Sequence, residues 1–302
     1  MIPYDRRAWF RLLFSARGNL TGGVLVRVLT FGALGLAVWL IDRTDGISLQ
    51  IPTGFHEVAG VVIGLILAFR TNTAYARFWE GRTLWGGIVN ASRNLARVVD
   101  THAALSDEES RAFNVWIAVF ACATRSRLRG MPDVPEAAGW LSVEDYQQFL
   151  AAPHPALFAA EKLSQQMTSL AAAGRLSPII SGVAEEQLVT LINHLGGCER
   201  IVRTPTPLGY ILLMERGAFL YIGTLPFALV GRLGWLEPLV TVGVAYLVLM
   251  IEALGNELDN PFGTDASDIP LDQICSNIAF DLLGVGQRPK FGPEKGIGPV
   301  LK

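Results

Sequence analysis

Long apolar runs interrupt an otherwise mixed sequence of 302 residues. Crossing the hydrocarbon of a bilayer as a helix takes roughly 20 mostly apolar residues, because each residue rises only about 1.5 Å along the axis. Three runs meet this requirement, over residues 22–41, 208–230 and 235–255. The pattern therefore predicts three membrane-spanning helices.

A fourth apolar run, "VAGVVIGLILAF" at residues 58–69, contains only twelve uninterrupted apolar positions. That is fewer than a span facing lipid on all sides requires. We assign it to a further predicted span over residues 56–78, the second of four in chain order, and expect protein to shield it.

Positions four apart share a face of a helix, so the fourth run carries two stripes. One stripe is small: Gly60, Gly64 and Ala68. The other is bulky: Val61, Leu65 and Phe69. Small-xxx-small spacing lets another helix approach closely in lipid. The bulky stripe either fills a bundle core or faces a narrow passage as an apolar constriction.

The distribution of arginine predicts the orientation of the spans, because cationic flanks stay on the cytoplasmic side. Arginines collect before the first span, after the short one and before the third. The two remaining loops hold only Arg43 and Arg232. This predicts four crossings of the cell membrane, the inner membrane in a bacterium, with both termini cytoplasmic.

The section between the short span and residue 205 is richer in charge and shows helical periodicity. Ser106 precedes Glu109 and Ser142 precedes Asp145, the spacing of a helix start with a reciprocal cap. We predict a cytosolic helical part over residues 79–205 and 256–290. Residues 284–302 form a tail that can be disordered.

Composition supports a membrane protein, since 51% of residues are hydrophobic, 17% are charged and the mean hydropathy is +0.36. A net charge of −2 provides no basic field for nucleic acid, so that partner is excluded. No cleavable signal peptide is predicted at the amino terminus. Three cysteines far apart in the sequence indicate neither a zinc site nor a disulfide framework.

Motifs for catalysis are missing from the sequence. The four histidines are scattered, and no HExxH, GxSxG or Walker-type motif stands in a suitable context. We therefore predict that the chain is not an enzyme and needs no cofactor. A membrane transporter and a membrane-anchored scaffold are alternatives to a channel.

Three segments stand in the order and context seen in bestrophins: "AFRTNTAYARFWEGR" after the second span, "ERIVRTPTPLGY" before the third and "NELDNPFGTD" after the fourth. The chain resembles a bacterial bestrophin homologue over nearly its whole length. "DNPFG" is the most specific of these matches.

The resemblance implies an all-α homopentameric ion channel with a central pore. Val61, Leu65 and Phe69 match the three apolar rings that form the pore neck in that family. Ile179, directly after Pro178, matches a second restriction at the cytosolic exit. The alternative for Ile179 is a residue at a helix start that packs into a domain core.

Ion preference is open at the sequence level. Bestrophins are known chiefly as chloride channels, which makes anions the family expectation, whereas a cation channel of the same fold is the alternative. His56 and Glu57 fall at the outer end of the short span, where a ring of glutamates would attract cations. Glu215 and Arg216 lie inside the third span, and we expect them to pair with groups such as Arg27 or with a neighbouring subunit.

The acidic segment after the last span raises the question of calcium. In calcium-gated relatives this segment is a continuous acidic run, whereas here it reads "TDASD". Asn260, Asp265 and Asp268 keep matching positions, but calcium usually takes six to eight oxygen ligands. Calcium binding is thus a disfavoured alternative to a turn at Asp265 and a helix that begins at Asp268.

Overall fold

The computed structural model describes residues 20–44, 48–265 and 267–286. These residues form α-helices and no strand: α1 (Leu20–Asp42), α2 (Thr53–His102), α3 (Asp107–Leu128), α4 (Pro135–Trp140), α5 (Val143–Ala151), α6 (Pro155–Ala172), α7 (Pro178–Arg203), α8 (Leu208–Leu233), α9 (Glu237–Asp259) and α10 (Leu271–Leu283). The all-α prediction is confirmed. Most of the predicted tail, from residue 287 onward, lies outside the described residues.

Three described stretches are long and apolar enough to cross a membrane: Gly23–Asp42, Thr53–His102 and Leu208–Asp259. The third contains both α8 and α9, joined by a short 3-10 turn, Gly234–Leu236. Gly234 adopts a φ of 54°, a left-handed conformation that a residue without a Cβ tolerates. The predicted segments 208–230 and 235–255 correspond to the two helices on either side of this turn.

The α2 helix is longer than its predicted membrane span. The sequence predicted a span over residues 56–78 and a cytosolic helical part from residue 79, and in the structure one unbroken helix of 50 residues runs through both to His102. It is therefore about 75 Å long. No proline interrupts residues 53–102, so the change from apolar to polar composition alters the surroundings of the helix and not its continuity.

Two hydrophobic cores hold the helices together. The larger core lies among the second half of α2 and helices α3, α6, α7 and α10, and it includes Trp85, Phe120 and Leu191. We call these elements, together with α4 and α5, the helical domain. The smaller joins α1, α8 and α9 through residues such as Phe31 and Ile222. The apolar helices and the helical domain thus share α2 as a common element.

Two predicted helix starts are confirmed. The Ser106 side chain accepts a hydrogen bond from the Glu109 amide at 3.3 Å, and the Glu109 carboxylate accepts one from the Ser106 amide at 2.9 Å. Ser142 accepts a hydrogen bond from the Asp145 amide at 3.1 Å. Both satisfy amide groups that a helix leaves unpaired at its first turn.

Two of the cysteines are close neighbours in space although they are far apart in the sequence. Cys122 on α3 and Cys275 on α10 are buried in the larger core as free thiols. A hydrogen bond with Cys275, together with burial, raises the pKa of the Cys122 thiol well above its usual range. The Cys275 thiol also donates to the Ala121 carbonyl at 3.6 Å. These contacts help hold α10 against α3.

Candidate pore site

The bulky stripe of α2 lies on the surface of the chain. Val61, Leu65 and Phe69 are 74%, 56% and 59% exposed. The opposite face of the same helix is buried, as Leu67 and Arg70 show. Lipid, water or a second copy of the chain must therefore cover an apolar stripe that faces away from the other helices of the subunit.

The small stripe is divided between an internal contact and an open groove. A Cβ at Gly60 would lie 2.8 Å from the Tyr221 hydroxyl, so α8 already uses the close approach that this glycine permits. A Cβ at Gly64 would meet nothing within 4 Å. Gly64 borders a groove of about 750 Å³ between α2, α8 and α9, lined by side chains such as Ala68, Leu247 and Ile251.

The outer end of α2 carries His56 and Glu57. His56 is buried, and its Nε2 lies 2.8 Å from the Thr224 hydroxyl. Glu57 is exposed and pairs with Arg232 at 3.4 Å. An arginine of the same chain thus partly balances the acid that was predicted to lie near a channel mouth.

A polar network crosses the apolar helices behind Phe69. Arg27 on α1 pairs with Glu252 on α9 at 3.2 Å. Asn256 donates to the Glu252 carboxylate at 2.8 Å and accepts a hydrogen bond from Arg70 on α2. Arg70 also donates to the Glu252 carbonyl at 3.4 Å. The network joins α1, α2 and α9 at one level.

The predicted partner for Glu215 and Arg216 was wrong in one respect. Arg27 pairs with Glu252 instead, because α9 presents this buried carboxylate to α1. Within the described part of the chain, Glu215 and Arg216 are exposed on α8 and form no ion pair. A contact between them and a neighbouring subunit stays a prediction.

A second arginine of α2 ties the end of α9 to the start of α8. Arg77 pairs with Asp259 at 3.3 Å and donates to the carbonyls of Ile201 and Thr204. The Thr206 hydroxyl donates to the Asp259 carboxylate at 2.6 Å. These bonds fix α2 to α7, α8 and α9 just beyond the apolar part of the molecule.

Ile179 is the second residue of α7 and is 79% exposed. Leu176, three residues earlier, is buried in the larger core. Ile179 therefore does not pack into the core of its own chain. Its assignment to a pore restriction stays a prediction.

The segment with Asn260, Asp265 and Asp268 forms a compact turn. Asp268 is buried and accepts a hydrogen bond from the Asp265 amide at 2.7 Å. Burial raises the pKa of the Asp268 carboxyl, against the effect of that hydrogen bond. A Cβ at Gly263 would lie 2.5 Å from the Asp268 carboxylate, so the turn needs glycine there. Asn260 follows the end of α9 and is exposed.

The prediction that Asp268 starts a helix was wrong, since α10 begins at Leu271 after Pro270. Asp268 instead uses its carboxylate to close the turn before the helix. Among the described residues, no group of three or more His, Cys, Asp or Glu side chains could hold a metal ion.

The same turn is fastened to the helical domain. Phe262 is buried against Gly81 of α2, where a Cβ would lie 3.0 Å from its ring. Arg129 donates to the Phe262 carbonyl at 3.2 Å and pairs with Asp272 of α10 at 2.8 Å. The segment after the last apolar helix therefore returns along α2.

The network around Arg70 and Asn256 was not predicted from the sequence. The signal was present: an arginine directly after an apolar run, and an asparagine four residues after Glu252 on one face of the next helix. Intramembrane polar groups of this kind usually face other protein groups. Which groups they meet depends on helix packing, which periodicity alone does not give.

Comparison with known proteins identifies the class to which this fold belongs. A family model described as bacterial and fungal bestrophin protein matches residues 1–283. A voltage-dependent anion channel-forming protein of Nostoc sp. is 38% identical over 90% of both chains. YneE of Escherichia coli, named with the same description, is 35% identical over 94% of this chain and 93% of its own.

Solved structures agree with this match. The crystal structure of a bacterial bestrophin homologue from Klebsiella pneumoniae superposes with a TM-score of 0.81 at 30% identity, covering 86% of this chain and 97% of that one. The chain is thus a helical membrane protein of a class that includes named channel-forming proteins. It belongs to the bacterial and fungal bestrophin family.

Proposed function

We propose that the chain forms a homopentameric channel in the cell membrane that passes small monovalent ions, preferably anions, down their gradient. One observation carries the proposal: Val61, Leu65 and Phe69 form an exposed apolar stripe on a membrane helix whose opposite face is buried. Copies arranged around an axis would place this stripe in a shared neck. The names of the relatives support anions as the permeant ions.

The neck would work as a gate because an ion between apolar rings loses hydration without gaining ligands. The cost rises as the passage narrows, so small movements of α2 would switch conduction. Phe69 at the inner edge can turn either its positive ring edge or its negative face to the axis. Edge-on rings would favour anions. Ile179 would form a second restriction where the ion leaves the helical domain.

In this proposal α1, α2, α8 and α9 each cross the membrane, and both termini are cytoplasmic. The lengths of α8 and α9 support two crossings, since 26 and 23 residues correspond to about 39 and 35 Å of helix. The arginine distribution supports the orientation. The helical domain would then surround the cytosolic part of the conduit.

Reconstitution tests the function. Purified protein of measured oligomeric mass is placed in planar bilayers under a KCl gradient, and single-channel currents and their reversal potential are recorded. The proposal predicts unitary currents without substrate or cofactor, with a reversal potential that has the sign of the chloride equilibrium potential. A reversal potential with the sign of the potassium equilibrium potential would favour the cation channel. Absence of current from a pentamer would favour a transporter or scaffold.

A further inference from the structure

The guanidinium group of Arg70 lies in the protein interior at the level of the predicted inner neck. Arg70 is only 4% exposed. It follows Phe69 directly, so the two Cα atoms differ by about 1.5 Å along the helix axis. Its acceptors are the Glu252 backbone carbonyl and the Asn256 side-chain amide, both of which are neutral.

The nearest acid in this network is already balanced by another arginine. The Glu252 side chain is 3% exposed, lies 3.2 Å from Arg27, and also accepts a hydrogen bond from Asn256. Arg70 forms no ion pair with any described residue. Two arginines and one glutamate leave one net positive charge per chain behind Phe69.

A fixed charge in this place acts over a long distance. Walls of low dielectric constant focus the field of a buried charge into a narrow passage, where mobile salt screens it poorly. An apolar neck has few dipoles of its own that could oppose the field. A ring of such charges around an axis would attract anions and repel cations at the inner edge of the neck.

We propose that Arg70 determines the ion preference of the channel and that Asn256 holds it in place without neutralising it. The inference rests on the proposed function, since it needs the stripe of α2 to line the conduit. A carboxylate in place of the Asn256 amide would lie against the same guanidinium and cancel its charge. The identity of residue 256 thus decides whether the ring is charged.

The experiment compares wild-type protein with four variants in planar bilayers. Arg70→Gln removes the charge, and Asn256→Glu cancels it while Arg70 is retained. Arg70→Lys and Asn256→Gln are matched controls that change shape but keep the charge. The chloride-to-potassium permeability ratio is obtained from reversal potentials under a KCl gradient. Oligomeric mass in detergent is measured for every protein.

We expect Arg70→Gln and Asn256→Glu each to lower the permeability ratio about fivefold or more, which corresponds to ~1 kcal/mol. The two controls should stay within about twofold of wild type, because the net charge of the network is unchanged. If Arg70 and Asn256 had a purely structural role, the permeability ratios of the variants would not follow their charge. The Asn256 pair decides the result if Arg70→Gln fails to assemble.

Three results would overturn this inference while the channel itself stands: a wild type that prefers cations, an unchanged ratio in Asn256→Glu, or a loss in Arg70→Lys as large as that in Arg70→Gln. A wild-type pentamer without current would instead refute the proposed function, and this inference would fail with it.

Discussion

Phe69 and Arg70 are consecutive residues with opposite surroundings. The phenylalanine is exposed on the surface of the subunit, and the arginine is enclosed between α2 and α9. A helix turns by roughly 100° per residue, so neighbours can serve different faces. The last apolar position of the stripe and the first polar group behind it are thereby held in fixed relation.

At the residue scale, the central ring can be tested with Leu65→Ala. The substitution should raise single-channel conductance by about twofold or more, because a wider apolar ring removes less of the ion's hydration. Single-channel recording measures the effect directly. Leu67→Ala is the matched control, since Leu67 is buried on the opposite face and should not alter the size of the passage.

The conductance of Leu65→Ala can be compared with that of wild type only if the two proteins have the same oligomeric mass, so this mass is measured as well. Unchanged current in a correctly assembled Leu65→Ala protein would remove this residue from the conduit. An equal increase in Leu67→Ala would indicate general loosening of the helix bundle.

At the element scale, the groove beside Gly64 can be tested as a place where a helix of a neighbouring subunit approaches α2. A Cβ there meets nothing within 4 Å in the chain, and the groove leaves room for a larger side chain. A defect of Gly64→Leu that its control lacks would therefore point to contacts between subunits. We expect this variant to shift from the wild-type oligomer to smaller species in mild detergent, because a bulky side chain prevents close helix approach.

Gly243→Leu serves as the control for the groove variant. Gly243 lies on α9, and a Cβ there also meets nothing within 4 Å. Both substitutions replace one glycine in an apolar helix by leucine, so their effects on helix propensity are alike. A native mass for Gly64→Leu, or an equal loss in both variants, contradicts an interface at the groove.

The contact between α3 and α4 provides a test of stability. Arg125 is buried and forms two hydrogen bonds with Glu136, at 2.6 and 2.9 Å. Glu136→Gln should lower the free energy of unfolding by about 1–3 kcal/mol, because the buried guanidinium loses its closest anionic partner and keeps the more exposed Asp272 carboxylate, at 3.2 Å. Thermal unfolding of the purified protein measures the change. Glu144→Gln, on an exposed helix surface, should leave the melting temperature unchanged.

At the scale of the whole molecule, we predict that calcium removal leaves the currents essentially unchanged. The Asp268 carboxylate accepts a hydrogen bond from the Asp265 amide within a crowded turn, and the acidic run is interrupted. Recording before and after addition of EGTA provides the measurement, with magnesium held constant as the control. Currents abolished by EGTA and restored by calcium would contradict this prediction.

The sequence predicted features that depend on residues close together in the chain better than features that depend on residues far apart. The length of the apolar runs placed α1, α8 and α9, and local spacing placed the caps at Ser106 and Ser142, because those features arise from neighbours along one helix. The continuity of α2 was not predicted, since composition changes at residue 79 without any helix-breaking residue. The start of α10 was wrong because the side chain of Asp268 bonds within a turn.

The candidate site shows the same limit. The stripe of Val61, Leu65 and Phe69 followed from helical spacing, and its role came from family resemblance. The pairing of Arg27 with Glu252 joins residues 225 positions apart in the chain. Contacts of that kind depend on how helices pack in space, and a single sequence does not specify them.

The unbroken course of α2 has a mechanical consequence. Because α2 has no break between its two halves, a tilt of the half that packs against α7 and α3 would be transmitted to its apolar half. Whatever binds or pushes the helical domain would therefore move the constriction directly, with no intermediate joint to loosen the transmission.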